Sequence, residues 1–75
     1  MKVTNREQFH AEVKRMLRGL DDGQRENLAR RVCDEQGYSA SAVPRWFDGV
    51  SAPHLSLYEG FFEAMREAKE FLKYG

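Results

Sequence analysis

The chain has 75 residues, of which 41% are hydrophobic and 32% are charged, and its formal net charge at pH 7 is zero. This hydrophobic content excludes a disordered chain, and no apolar run approaches the ~18 residues that a membrane span needs. Met1 is followed by polar residues rather than by the apolar segment of a signal peptide. We therefore predict one domain over residues 1–75, with no membrane association.

Residues that would support catalysis or metal binding are scarce. Cys33 is the single cysteine, so it cannot form an internal disulfide, and this fits the reducing cytoplasm as the compartment. His10, Cys33 and His54 are too widely spaced for a zinc site, whose ligands come in close pairs. The sequence has no phosphate-binding loop and no nucleophile motif. We expect no cofactor, no metal and no enzymatic activity.

The charge is distributed unevenly along the chain. Residues 1–20 carry five basic and two acidic side chains, which gives +3, and residues 21–23 contribute −2. Residues 24–50 balance four against four, and residues 51–75 contribute −1. A nucleic-acid-binding domain usually has a clear basic excess. In this chain only the first 20 residues show one.

The first predicted helix starts at Thr4, because Thr4 and Glu7 have the spacing of a capping box. Gly19 or Gly23 is expected to end it. Apolar residues recur between these points on one helical face, which we expect to be buried. They are Phe9, Val13, Met16, Leu17 and Leu20.

The second predicted helix begins after Asp21 or Asp22. Asp21 and Gln24 repeat the capping-box spacing. Gly37 stands where a residue in the left-handed region would end the helix. The expected buried residues are Leu28, Ala29, Val32 and Cys33.

Two more helices follow. Ser39 or Ser41 caps a short third helix that ends at Gly49, and a fourth helix is predicted over residues 53–73. The apolar face of the fourth helix holds Tyr58, Phe61, Phe62, Met65, Ala68 and Leu72. No segment alternates with period two for long enough to form a strand, so the predicted fold is all-α, a bundle of four to five helices.

The residues between Ala29 and Asp48 have the pattern of a helix-turn-helix. Such a motif needs a small residue where its helices meet, glycine at the turn and apolar residues on the inward face of its second helix. Cys33 supplies the small residue, Gly37 the turn, and Val43 and Trp46 the inward face.

Segment 37–49 resembles the phage-repressor and Cro-like helix-turn-helix family. It reads GYSASAVPRWFDG, with Pro53 a few residues on, whereas family members often read Gly-x-Ser-x-Ser-x-Val-x-Arg-Trp-x-x-Gly. The resemblance implies a compact bundle of four or five helices. It also implies a homodimer that binds double-stranded operator DNA and regulates transcription.

The resemblance also implies which residues contact DNA. The recognition helix is Ser39 to Phe47, and its first exposed positions, Ala40 and Ser41, face base edges in the major groove. Pro44 occupies another groove-facing position, and Arg45 lies beside the backbone. On the second helix, Arg30 or Arg31 reaches phosphates. The alternatives are that Arg45 is a solvated residue paired with Asp48 and that the second-helix arginines form a solvated face.

Pro44 constrains where the third helix starts. If Ser39 is the cap, Pro44 is the fifth helical residue and its missing N–H costs perhaps ~3 kcal/mol. If Ser41 is the cap, Pro44 falls in the first turn, where the missing N–H costs little. We favour the later start.

The fourth helix carries more aromatic surface than one face can bury, which predicts a partner interface. The residues assigned to it are Tyr58, Phe71, Leu72 and Tyr74. We expect a symmetric homodimer; the alternative is that the last turn packs on its own core. A second reading of the whole chain also stays open. In it, a protein-interaction module or small phage-type inhibitor keeps the helix-turn-helix scaffold but binds a host protein, as the zero net charge, Ala40 and Pro44 suggest.

Overall fold

The computed structural model describes residues 3–74 and their side chains as far as Leu72. It contains four α-helices and no strand within those residues, so the predicted all-α fold is confirmed. The helices are α1 (Arg6–Leu17), α2 (Asp22–Gln36), α3 (Ala42–Phe47) and α4 (Tyr58–Tyr74), with a 3₁₀ turn at Leu55–Leu57. None of these helices is both long enough and apolar enough to cross a bilayer.

The start of α1 differs from the prediction by one residue. Asn5, rather than Thr4, is the N-cap, and its Oδ1 accepts a hydrogen bond of 2.8 Å from the Gln8 N–H. The Thr4 backbone N–H and hydroxyl instead donate to Gln8 Oε1, at 2.8 and 2.9 Å. Asparagine caps helices at least as well as threonine, and Gln8 then stands at the third helical position. The box predicted from Thr4 and Glu7 is therefore wrong.

The start and end of α2 agree with the prediction. Asp21 Oδ1 accepts from the Gln24 N–H at 2.8 Å, and Gln24 Oε1 accepts from the Asp21 N–H at 3.0 Å, which completes a capping box. Gly37 has φ 71° and ψ 23°, and its N–H donates to the Cys33 carbonyl at 2.8 Å. A left-handed glycine at this point ends α2 and turns the chain toward α3.

The core combines an aromatic cluster from α1, α3 and α4 with smaller buried side chains from α2, namely Leu28, Ala29, Val32 and Cys33. Phe9 of α1 is fully buried, and its ring stacks on Tyr58 with centroids 4.7 Å apart. Phe61 of α4 lies 5.3 Å from Phe9 and 5.5 Å from Trp46 of α3. The largest helix–helix contact is between α2 and α4. The predicted apolar faces of all four helices thus meet in one core.

The start of α4 was predicted too early. The α-helix begins at Tyr58 rather than at residue 53, because a 3₁₀ turn comes first. His54 is extended, and its Nδ1 accepts from the Ser56 N–H at 3.2 Å. The Leu57 N–H donates to the His54 carbonyl at 2.9 Å, which closes the turn.

Lys69 joins α4 to the end of α1. Its Nζ donates to the Met16 carbonyl at 2.7 Å. The last carbonyls of an α-helix have no partner within the helix, so a lysine from a neighbouring helix satisfies one of them and complements the helix dipole. This bond fixes the C-terminal end of α1 against the middle of the bundle.

Candidate nucleic-acid interface

The inward face of α3 is held firmly against the bundle. Val43 is fully buried and Trp46 is 8% exposed. The Tyr38 ring packs edge-on against Trp46 with centroids 5.2 Å apart, and the Cys33 Sγ donates to the Ser39 carbonyl at 3.5 Å. The predicted burial of Cys33, Val43 and Trp46 and the predicted turn at Gly37 are therefore confirmed.

The other faces of α3 and the turn before it are open to solvent. Ser39, Ala40, Ser41, Pro44 and Arg45 are all exposed. The hydroxyls of Ser39 and Ser41 hydrogen-bond to each other at 3.1 Å, and Ser41 makes no side-chain capping bond. Five of the seven predicted DNA-contacting residues thus lie together on one exposed segment.

The position of Pro44 settles where α3 starts. Ser41 is the N-cap and α3 runs only from Ala42 to Phe47, which places Pro44 at the third helical position. The first N–H groups of a helix have no intrahelical acceptor, so proline removes no helical bond here. The later of the two predicted starts is confirmed, and the longer recognition helix from Ser39 is wrong.

Arg45 makes no ion pair with any side chain between residues 3 and 72. The described part of the chain contains two, Glu12–Arg15 and Glu26–Arg30, so the alternative pairing of Arg45 with Asp48 is not formed. The Arg45 carbonyl accepts from the Val50 N–H at 3.0 Å. The guanidinium therefore stands on the exposed segment with its charge available.

The structure separates Arg30 from Arg31. Arg30 Nη2 lies 3.7 Å from Glu26 Oε1 on the solvent face of α2, and a pair this exposed contributes little to stability. Arg31 points to α4, where its guanidinium carbon lies 4.7 Å from the centroid of the Phe71 ring, a cation–π contact. Arg31 is therefore not brought together with the α3 residues.

A groove between α2 and α3 was not predicted. It has a volume of about 390 Å³ and includes Ala40 and Pro44 in its wall. Its apolar lining comes from Leu17, Ala29, Cys33, Ala40, Pro44 and Phe47, and its charged rim from Arg25, Glu26, Arg30, Asp34 and Asp48. Pro44 and Phe47 are three residues apart on α3, which places them on one helical face and was the available signal. Ala40 precedes the helix, so its place in the wall had no periodic signal.

The predicted interface on α4 is only partly available. Tyr58 is 7% exposed because it stacks on Phe9, so assigning it to a partner surface was wrong. Leu72 is half-buried against the core, whereas Phe71 is 51% exposed. The side chain of Tyr74 lies outside the described residues. Of the predicted interface residues whose side chains are described, the exposed one is Phe71, at the C-terminal end of α4.

Two basic residues of α1 contact the segment that follows α3. Arg6 Nη2 donates to the Val50 carbonyl at 2.8 Å, and His10 Nε2 lies 2.8 Å from the Ser51 carbonyl. Sequence reasoning did not place α1 beside the end of α3. The spacing of Arg6, His10 and Lys14 by four residues indicated a common face, but not what the face adjoins.

Burial raises the pKa of the Cys33 thiol, and the charge of Asp34 raises it further. Burial also raises the pKa of Tyr38. A raised folded-state pKa gives stability that is fully present below the unfolded value, about 9.0 for the thiol, and is lost as the pH rises through the folded value.

We therefore expect the free energy of unfolding, measured with urea between pH 7 and pH 10.5, to fall above about pH 9. The fall in the free energy of unfolding should be shallower in Cys33→Ala. Tyr38→Phe should remove the part of the fall that comes from the raised pKa of Tyr38. An identical pH slope in wild type and Cys33→Ala would show that the thiol is not protected by burial.

Comparison of the chain with protein-family models, characterised proteins and solved structures finds no match. Within the described residues, no three His, Cys, Asp or Glu side chains are grouped so that they could hold a metal ion.

Proposed function

We propose that this chain binds double-stranded DNA in a sequence-specific way, as a transcriptional regulator of the phage-repressor type. The observation that carries the proposal is the two-sided character of α3. Val43 and Trp46 fix one side of the helix in the core, while Ser41, Pro44 and Arg45 stay exposed on the other. The family resemblance of segment 37–49 supports the same function.

Each exposed residue has a defined role in this proposal. The hydroxyls of Ser39 and Ser41 hydrogen-bond to base edges in the major groove. Ala40 and Pro44 offer apolar contact to thymine methyl groups, and Arg45 binds a phosphate. These contacts use the first turn of α3 and the residues just before it, as in other helix-turn-helix domains.

The proposed DNA-bound form is a homodimer. The exposed ring of Phe71, with half-buried Leu72 beside it, provides the contact between copies at the C-terminal end of α4. A two-fold axis through this end repeats the α3 segment in the partner, so a homodimer reads two half-sites.

The test is fluorescence anisotropy with DNA fragments from the gene neighbourhood of the protein, at two salt concentrations. We expect one fragment to bind preferentially and the affinity to fall steeply with salt. Arg45→Ala should weaken binding to every fragment, because it removes a phosphate contact. Ser41→Ala should instead change the preference among fragments by about 1 kcal/mol, as for one lost hydrogen bond to a base edge. Equal effects of the two substitutions on all fragments would contradict these roles.

The groove between α2 and α3 favours a second candidate function, binding of a host protein. Its apolar lining suits a peptide or helix, and its rim carries charges of both signs that could pair with those of a protein partner. This reading predicts no DNA binding even at low salt. It also predicts a protein complex that is lost in Ala40→Arg, which blocks the groove, and kept in Arg66→Gln on α4.

A further inference from the structure

A row of basic side chains runs along one face of α1. Arg6, His10 and Lys14 are spaced by four residues, so they lie one above another on the helix. Arg6 and Lys14 are exposed, and neither is paired with a carboxylate among the described residues. The fourth basic residue within the bounds of α1, Arg15, is paired with Glu12. Arg6 and Lys14 are therefore the two positive side chains of α1 that no described carboxylate pairs with, against one unpaired acidic residue of the helix, Glu7.

Hydrogen bonds link this row to the candidate DNA-binding segment. The Arg45 carbonyl accepts from the Val50 N–H at 3.0 Å, and the Val50 carbonyl accepts from Arg6 Nη2 at 2.8 Å. His10 Nε2 contacts the next carbonyl, that of Ser51, at 2.8 Å. The N-terminal half of α1 is thereby fixed beside the C-terminal end of α3.

A guanidinium has five N–H donors in a planar fork. The bond to Val50 uses one nitrogen of Arg6, so other donors remain for a ligand. Lys14 contributes three more donors. Its side chain forms no hydrogen bond to another described residue, so these donors are available to a ligand. Both side chains therefore suit an anion that lies along α1.

We infer that this face of α1, with Arg6 and Lys14, binds the phosphate backbone that flanks the major groove occupied by α3. The inference rests on the proposed function. A helix in the major groove is bordered on each side by a phosphate strand, and an element fixed beside that helix lies over one of them. The α1 contacts then replace the phosphate contact that the resemblance assigned to Arg31, because Arg31 contacts Phe71 on α4. Arg30 keeps its assigned role, since its exposed pair with Glu26 is weak.

The test compares Lys14→Gln with a matched variant, Arg66→Gln, on the exposed surface of α4. Both remove one positive charge from the full-length chain, and neither residue has an ion pair among the described residues. In Lys14→Gln we expect affinity for every DNA fragment to fall by about 5- to 10-fold near 0.1 M salt. The slope of log K against log salt should become shallower by about 0.9, as for one lost phosphate contact.

Arg66→Gln should keep the wild-type affinity and slope. Arg6→Gln provides a second variant, which should lower the slope in the same way, and its circular dichroism will show whether the bundle stays folded. A wild-type slope in Lys14→Gln overturns the inference and leaves the proposed function standing. Absence of DNA binding by the wild type at low salt overturns the proposed function, and the inference with it.

Discussion

Phe61→Ala is expected to lower the free energy of unfolding by about 3–5 kcal/mol, the range for a large aromatic side chain removed from a core. Phe61 is fully buried, and its ring contacts rings from three helices. The centroids lie 5.3 Å from Phe9 of α1, 5.5 Å from Trp46 of α3 and 5.6 Å from Phe62 of α4. The truncation therefore leaves a cavity at the point where α1, α3 and α4 meet.

The expected loss is large relative to the total. A chain of this length has a free energy of unfolding of about 4–11 kcal/mol, so the Phe61→Ala loss removes at least about a quarter of it. Urea unfolding followed by circular dichroism measures the change. Leu55→Ala is the control, because its side chain is 54% exposed and its loss should cost at most ~1 kcal/mol. Similar losses in the two variants would mean that Phe61 is not the centre of the core.

Val43→Asp is expected to abolish folding at neutral pH. Val43 is fully buried on the inward face of α3, and no buried polar side chain among the described residues is present to pair with a carboxylate there. An ionised carboxylate costs several kcal/mol to bury without a partner. The folded-state pKa of the new carboxyl is therefore raised above its unfolded value of about 3.9. Folding should be favoured below that value and lost as the pH rises through the folded-state pKa.

Circular dichroism at pH 3 and pH 7 tests this prediction. Ser41→Asp, two residues earlier and exposed, is the control and should fold at both values. If the free energy of unfolding of Val43→Asp at pH 7 lies within about 1 kcal/mol of the wild-type value, the inward orientation of Val43 is refuted. The helix-turn-helix assignment would then lose the residue that fixes α3.

Local features of the fold were predictable because they depend on residues close in sequence. The capping box of Asp21 and Gln24 needs a spacing of three, and the left-handed turn at Gly37 needs glycine at one position. The burial of Val43 and Trp46 follows from helical periodicity. Pro44 fixed the start of α3, because only one of the two possible caps kept it out of the helix interior.

The predictions that failed concern which neighbouring element each helix face contacts. Arg30 and Arg31 are one residue apart and thus about 100° apart on α2, so they point to different sides of the helix. Sequence gave no means to decide that Arg31 faces Phe71 on α4. The bond from Arg6 to Val50 spans 44 residues and leaves no periodic signal.

The 3₁₀ turn before α4 was missed because the segment offers two starting points. Pro53 is well suited to the first turn of a helix, which predicted the early start. His54, two residues before Ser56, instead accepts the Ser56 N–H and holds the chain extended for longer. A histidine ring nitrogen that accepts a backbone N–H is a weaker sequence signal than proline, yet the turn at His54 is what precedes the start of α4 in the structure.

The shortness of α3 bears on how much sequence one copy can distinguish. Six residues at 1.5 Å each span about 9 Å, which is less than three base-pair steps of 3.4 Å. A sequence of three base pairs recurs by chance about once in 64 positions, far too often to specify one binding site among the millions of sites in a genome. Two such sequences at a fixed separation recur about once in 4,000 positions, and the shape of the flanking DNA adds further specificity. Under the proposed function, the shortness of α3 means that one copy is not enough to select a site, and the second copy contributes an equal share of the specificity.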